Sequence, residues 1–278
     1  MRNIKKSVAF TLTEILIVIG IIGIISALAI PNLNKSVSDQ EKVTKFKKVY
    51  AELSQAHNAA LIKYGPVENW FTNDADEYAY SARYFNRITE FLKLQKNCGC
   101  TNTLCRGIST NGCMNTLYKS LNKVNSNTDL DSTYYPRAIL ANGASISYEG
   151  KSGTCNLLQG YSSDSAPTCG VIYVDIDGPQ NGKQRIGIDL FKLGVTKNGI
   201  TPAAYYLDSY IESFPDHCLK DGDTCGKWIM DFGNMDYYTH VYIDVYGKEG
   251  ICNNNESKQL GWPNSTPNAG KTIVQSCR

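Results

Sequence analysis

The feature that most restricts this chain is an apolar block from Phe10 to Ile30, which carries one charge, Glu14, in 21 residues. As a helix it would be about 31 Å long at 1.5 Å per residue, against roughly 30 Å of hydrocarbon in a bilayer. A core helix of a globular protein would show a polar face, and none occurs between Ile15 and Ala29. The block is therefore read as a membrane-spanning helix. The residues before it hold Arg2, Lys5 and Lys6 and no acid. A secretory signal has a shorter apolar stretch, about 7–15 residues, closed by small residues. Here the stretch is too long, and Ser26-Ala27-Leu28-Ala29 is the nearest cleavage candidate.

Glu14 needs a cation. A carboxylate at the centre of a spanning helix costs roughly 2.5–3.5 kcal/mol and marks function by default. If the chain were cut between Ala9 and Phe10, the new amine would lie about 6 Å along the axis from Glu14. The two charges could meet within one subunit, or Glu14 could meet the amine of a neighbouring copy.

Ala9-Phe10-Thr11-Leu12-Thr13-Glu14 and the apolar run after it resemble the leader and helix of the type IV pilin and type II secretion pseudopilin family. The resemblance implies that a prepilin peptidase removes residues 1–9 and N-methylates Phe10. Glu14 and Pro31 stand where the family has its assembly glutamate and a helix-bending proline. The departure is Ala9, where the family usually carries Gly. Gly23 and Ala27 form a small-xxx-small pair that would let helices approach closely.

The positive-inside tally is ambiguous. Arg2, Lys5 and Lys6 precede the block, while Lys35, Lys42, Lys45, Lys47 and Lys48 follow it, which favours a cytoplasmic C-terminal side. The cysteines argue the opposite. Cys98, Cys100, Cys105, Cys113, Cys155, Cys169, Cys218, Cys225, Cys252 and Cys277 all follow the block, and disulfides persist in oxidising compartments. Zinc is the rival for the Cys98–Cys113 cluster. Cys98-x-Cys100 is too tight for a zinc knuckle, and His57, His217 and His240 are all distant in sequence. Disulfides are preferred, with Cys218 and Cys225 closing a local loop and other connectivity left open. The expected localisation is the bacterial inner membrane, single-pass, N-terminus cytoplasmic, with the large domain periplasmic or extracellular in a filament.

After Pro31, Val43, Phe46, Val49, Leu53, Ala56, Ala60 and Tyr64 recur at helical spacing. They predict an amphipathic helix from near Asn32 to Lys63, stopped by Gly65-Pro66, with His57 a partly buried structural residue. Tyr84, Ile88 and Phe91/Leu92 suggest a second helix. Ala138–Tyr148 reads as a hairpin around Asn142-Gly143, with a type I′ turn. Val171–Ile176 and His240–Tyr246 read as strands, and Ile186–Leu193 and Lys227–Met230 as weaker ones. The expected fold is α+β and pilin-like: a long N-terminal membrane-spanning helix packed on an antiparallel β-sheet, rich in disulfides. The expected segments are the leader 1–9, transmembrane and filament-core helix 10–30, amphipathic half 31–64 and globular domain 65–278.

Asp175, Asp177 and Asp189 could gather oxygens for calcium, although the EF-hand spacing is absent and Asp177-Gly178 is a common turn. Otherwise no cofactor is expected. No catalytic motif is present, so the chain is not read as an enzyme. A net charge of +2 disfavours nucleic acid as a partner. The 18 Tyr suit sheets and interfaces. The expected function is a structural subunit, minor or specialised, of a type II secretion or type IV pilus-like filament. Its partners would be other copies or related subunits, prepilin peptidase, an inner-membrane assembly platform and, before assembly, the lipid bilayer. The alternative is a membrane-anchored extracytoplasmic binding module, adhesin-like, that never polymerises and keeps Met1.

Overall fold

The structure, a computed structural model, describes residues 12–70, 77–99, 112–114, 117–121, 128–129, 135–150, 155, 168–179, 181–202, 218, 222–235, 237, 241–242, 258–261 and 272–275. For 25–37, 77–78, 117, 128–129, 241–242, 258–261 and 272–275 it describes the backbone alone. The chain divides into two compact units, Met1–Glu41 and Lys42–Arg278. The boundary falls inside helix α1 (Leu12–Tyr64, 53 residues).

In the first unit, the described residues belong to the N-terminal part of α1. Among the described residues no helix is long and apolar enough to cross a membrane. The membrane-spanning helix is therefore corrected. With it go the pilin-like fold class defined by that span and the single-pass inner-membrane localisation.

The second unit begins with the amphipathic part of α1. Val43, Phe46, Val49, Leu53, Ala56 and Ala60 are buried along one stripe, the three-and-four spacing that places side chains on one helical face. Gly65 ends the helix. Its φ of +79° is left-handed, and its N–H donates to the Leu61 carbonyl at 2.9 Å, the glycine stop that spares a Cβ clash. A 3-10 turn (Val67–Trp70) and α2 (Glu77–Thr89) follow. The buried Tyr84, Phe85 and Ile88 of α2 join the same core as the α1 stripe.

The main sheet has six antiparallel strands: β1 (Leu94–Asn97), β4 (Arg137–Leu140), β5 (Ser145–Gly150), β6 (Thr168–Asp175), β7 (Leu190–Thr196) and β8 (Gly199–Thr201), in that spatial order. Alternation separates its two faces. Ile146, Tyr148, Ile172, Val174, Phe191 and Leu193 belong to the core that holds the helices. Val171, Tyr173 and Leu190 belong to a smaller cluster with Met114, Tyr118 and Ile186. Two minor sheets pair β2 (Leu117–Tyr118) with β3 (Thr128–Asp129), and β10 (Lys258–Gly261) with β11 (Thr272–Gln275) and β9 (Val241–Tyr242).

Two local expectations are corrected. The β4–β5 hairpin forms at Asn142-Gly143, but Leu140 N–H donates to Ala144 O at 2.8 Å across a three-residue loop. Only Gly143 of that loop is left-handed, with φ +89°. That is a three-residue connection with Gly in the left-handed place, not type I′, which needs positive φ at two residues. Lys227–Met230 lies in helix α3 (Cys225–Phe232) rather than a strand. Its buried Cys225, Trp228 and Ile229 follow a helical period, and Gly233 ends it at φ +69°. Of His240–Tyr246, Val241–Tyr242 form β9, and the rest lies outside the described residues.

Disulfide bonds join Cys98 to Cys113, Cys155 to Cys169 and Cys218 to Cys225. Cys98 and Cys113 of the cluster weighed for zinc are thus bonded to each other. Cys100, Cys105, Cys252 and Cys277 lie outside the described residues.

Candidate assembly surface

Leu12–Ile24 is helical although it is dominated by isoleucine, whose branched Cβ loses rotamer freedom in a helix. Helices of that composition depend on burial of their side chains. Within this chain those side chains stay out. Leu12, Ile15, Leu16, Ile17, Val18, Ile19, Ile21, Ile22 and Ile24 are between 49% and 76% exposed. Successive residues step about 100° around the axis, so these positions cover the whole circumference. A contiguous apolar surface of this kind marks an interaction site.

Glu14 is exposed in the first turn of α1, where a carboxylate is favoured by the positive end of the helix dipole. At Gly20 and Gly23 an added Cβ would meet nothing within 4 Å, so the space beside both is open. Pro31 lies inside α1, whose helical assignment continues through it. The side chains of Ala27 and Pro31, and the whole of Ala9 and Phe10, lie outside the described residues.

In the second unit, Asp175, Asp177 and Asp189 come together at the β6–β7 connection, and two of them, Asp177 and Asp189, hold a lysine. Lys42 Nζ contacts Asp177 Oδ2 at 2.7 Å and also Asp189 Oδ1. Lys45 Nζ reaches Asp177 Oδ1 at 3.2 Å. The second oxygen of Asp189 accepts from the backbone N–H groups of Lys183 and, at 3.4 Å, Arg185. Burial opposes the charge on Asp177, but Lys42 and Lys45 outweigh it and hold its carboxyl below the usual range. Desolvation lowers the Lys42 pKa, yet its hydrogen bonds to Asp177 and Asp189 leave it raised. Among the described residues, no group of three His, Cys, Asp or Glu side chains is arranged to hold a metal ion.

Asp175 behaves differently. It is fully buried and accepts from the Tyr118 hydroxyl at 2.5 Å and from the Asp177 and Gly178 N–H groups at 3.1 Å. Those donors favour the carboxylate, but burial dominates and its pKa is pushed up to about 7. His57 is buried as expected for a structural residue, with Nδ1 2.9 Å from the Tyr84 hydroxyl. Burial holds its pKa down at about 4, so it is neutral at pH 7. Tyr84, Tyr118, Tyr148 and Tyr237 are fully buried core residues. His217 and His240 lie outside the described residues.

Lys42 and Lys45 were not singled out as partners of these aspartates by the sequence. Lys42 is 135 and 147 residues from the two aspartates it meets, and Lys45 is 132 from Asp177, which leaves no local pattern to detect. Comparison with family models, curated proteins and solved structures found no match to this chain.

Proposed function

We propose that the chain is a structural, non-catalytic subunit of a filament of the type IV pilus or type II secretion kind, in a minor or specialised role. What supports this reading is the helix Leu12–Ile24, apolar on every side and exposed along its described length. Burying a large apolar side chain is worth about 1.5–3 kcal/mol. The nine exposed in this segment would therefore release on the order of 10 kcal/mol or more once surrounded. Copies of the same helix, bundled in parallel, supply that burial on all sides.

Charge completes the design. Cleavage between Ala9 and Phe10 by a prepilin peptidase would free an amine for the Glu14 of an adjacent copy, fixing the axial offset between subunits. Bare backbone at Gly23 would let two helices pack closely. Mass spectrometry of the mature N-terminal peptide, from cells that carry a prepilin peptidase, tests the reading. N-methylated Phe10 as the first residue is expected, and a retained Met1 overturns it.

A further inference from the structure

The contact of Lys42 with Asp189 has the parts of an acyl-transfer site. The electrophile would be the Asp189 carboxyl, whose side chain is completely shielded from solvent while that of Lys42 is 13% exposed. The two oxygens of Asp189 are treated unequally. Oδ1 faces the amine, and Oδ2 faces the N–H groups of Lys183 and Arg185. Donors aimed at one oxygen of a carbonyl stabilise the charge that develops there in a tetrahedral intermediate. A second carboxylate, Asp177, lies 2.7 Å from the same Nζ and can carry protons. Gly182, at φ +78°, makes the space. A Cβ there would come within 2.8 Å of Asp189 Cγ and 3.1 Å of Asp177 Oδ2.

We propose that Lys42 and Asp189 become joined by an intramolecular isopeptide bond between Nζ and Cγ, with Asp177 as the proton carrier. Nζ attacks Cγ after giving up a proton to Asp177. The negative charge collects on Oδ2, held by the Lys183 and Arg185 amides. Oδ1 departs as water, having received two protons that began on the ammonium, and Oδ2 remains as the amide oxygen. One ammonium and one carboxylate thus yield one amide and one water, with no oxidant or cofactor.

Two physical effects favour the reaction here. Water stabilises separated ammonium and carboxylate, and burial removes that stabilisation. Fixed juxtaposition replaces a bimolecular encounter, an effect comparable with roughly 10⁵–10⁸ M of reactant. Bond formation waits on the proton exchange between Lys42 and Asp177 and is a slow maturation step. The exposed pairs Lys63–Glu90 and Lys227–Asp231 have side chains at least 37% exposed and keep the hydration that opposes condensation. The product would tie α1 covalently to the turn before β7. This inference stands on the second unit alone, independent of filament assembly.

The test is the intact mass of the full chain, reduced and denatured after prolonged storage. The expected mass is short by one water molecule, and trypsin releases a branched peptide joining residues 36–45 to 186–192. Lys42→Arg keeps the charge but cannot form the link. It should restore the full mass, and Asp177→Asn should slow the loss of water. A wild-type chain of full mass whose Lys42 and Asp189 lie on separate peptides overturns the proposal. Because that result is read on the unaltered chain, it holds even if a variant misfolds.

Discussion

The ring of Phe46, on α1, lies 4.6 Å from that of Phe191, on β7, at an interplanar angle of 49°. This contact joins the amphipathic helix to β7, next to the edge strand β8 of the main sheet, and both residues are fully buried. The same ring also limits α3, because a Cβ at Gly226 would come within 2.8 Å of Phe46 Cζ. Helix, sheet and α3 therefore share one packing point.

Phe46→Ala should destabilise the folded chain by about 3–5 kcal/mol, the range for emptying a buried phenylalanine site. Denaturant unfolding of the disulfide-intact protein measures it. A loss below about 1 kcal/mol would show that the site does not hold the helix on the sheet.

Stability should show two opposed pH responses in one window. Asp175 has a folded pKa of about 7 against an ordinary 3.8. Between those values the folded state binds the extra proton, so its contribution is lost as pH rises. His57 has a folded pKa of about 4 against 6.5. Between those values the unfolded state binds the extra proton, so its contribution is lost as pH falls. At about 1.4 kcal/mol per unit, the Asp175 shift is worth on the order of 4–5 kcal/mol and the His57 shift on the order of 3–4 kcal/mol. In the wild type the two nearly cancel between pH 4 and 6.5, so Asp175→Asn should make stability rise with pH there, and His57→Gln should make it fall. Urea midpoints across that window decide; parallel profiles for wild type and both variants would refute the assignment.

Gly182→Ala should lose stability on two counts. Its φ of +78° disfavours any Cβ, and the new carbon would press on Asp189 Cγ. A loss of about 1–3 kcal/mol is expected, visible as a lower unfolding midpoint. A neutral result would mean that the turn can rearrange without disturbing Asp189.

Glu14→Ala should leave the second unit folded, since Glu14 belongs to the first, yet remove the subunit from filaments. Quantifying the variant in sheared surface filaments, with its near-UV circular dichroism as the folding control, checks this. Incorporation at wild-type levels would separate Glu14 from assembly.

Local patterns were readable where neighbours in sequence are also neighbours in space. Val43 to Ala60 announced a helical stripe, Gly65-Pro66 its end, and Asn142-Gly143 a hairpin. Cys218 and Cys225 are a nearby pair that the fold does join. The turn type escaped because Gly143 alone accepts the left-handed conformation while Asn142 does not. Lys227–Met230 misled because a short apolar run fits strand or helix equally, and only the packing of Trp228 and Ile229 settles it.

The composition of residues 12–24 was enough to determine an all-round apolar segment, since side-chain chemistry needs no neighbour to define it. Which carboxylates would meet Lys42 was decided by tertiary structure alone. Asp177 and Asp189 reach it only after β6 and β7 pair and α1 settles across the sheet. Burial then separates residues of identical chemistry: Asp175 is driven toward its neutral form and Asp177 held in its charged one. The difference lies in solvent access and in the charges within reach, neither of which is a property of an aspartate by itself.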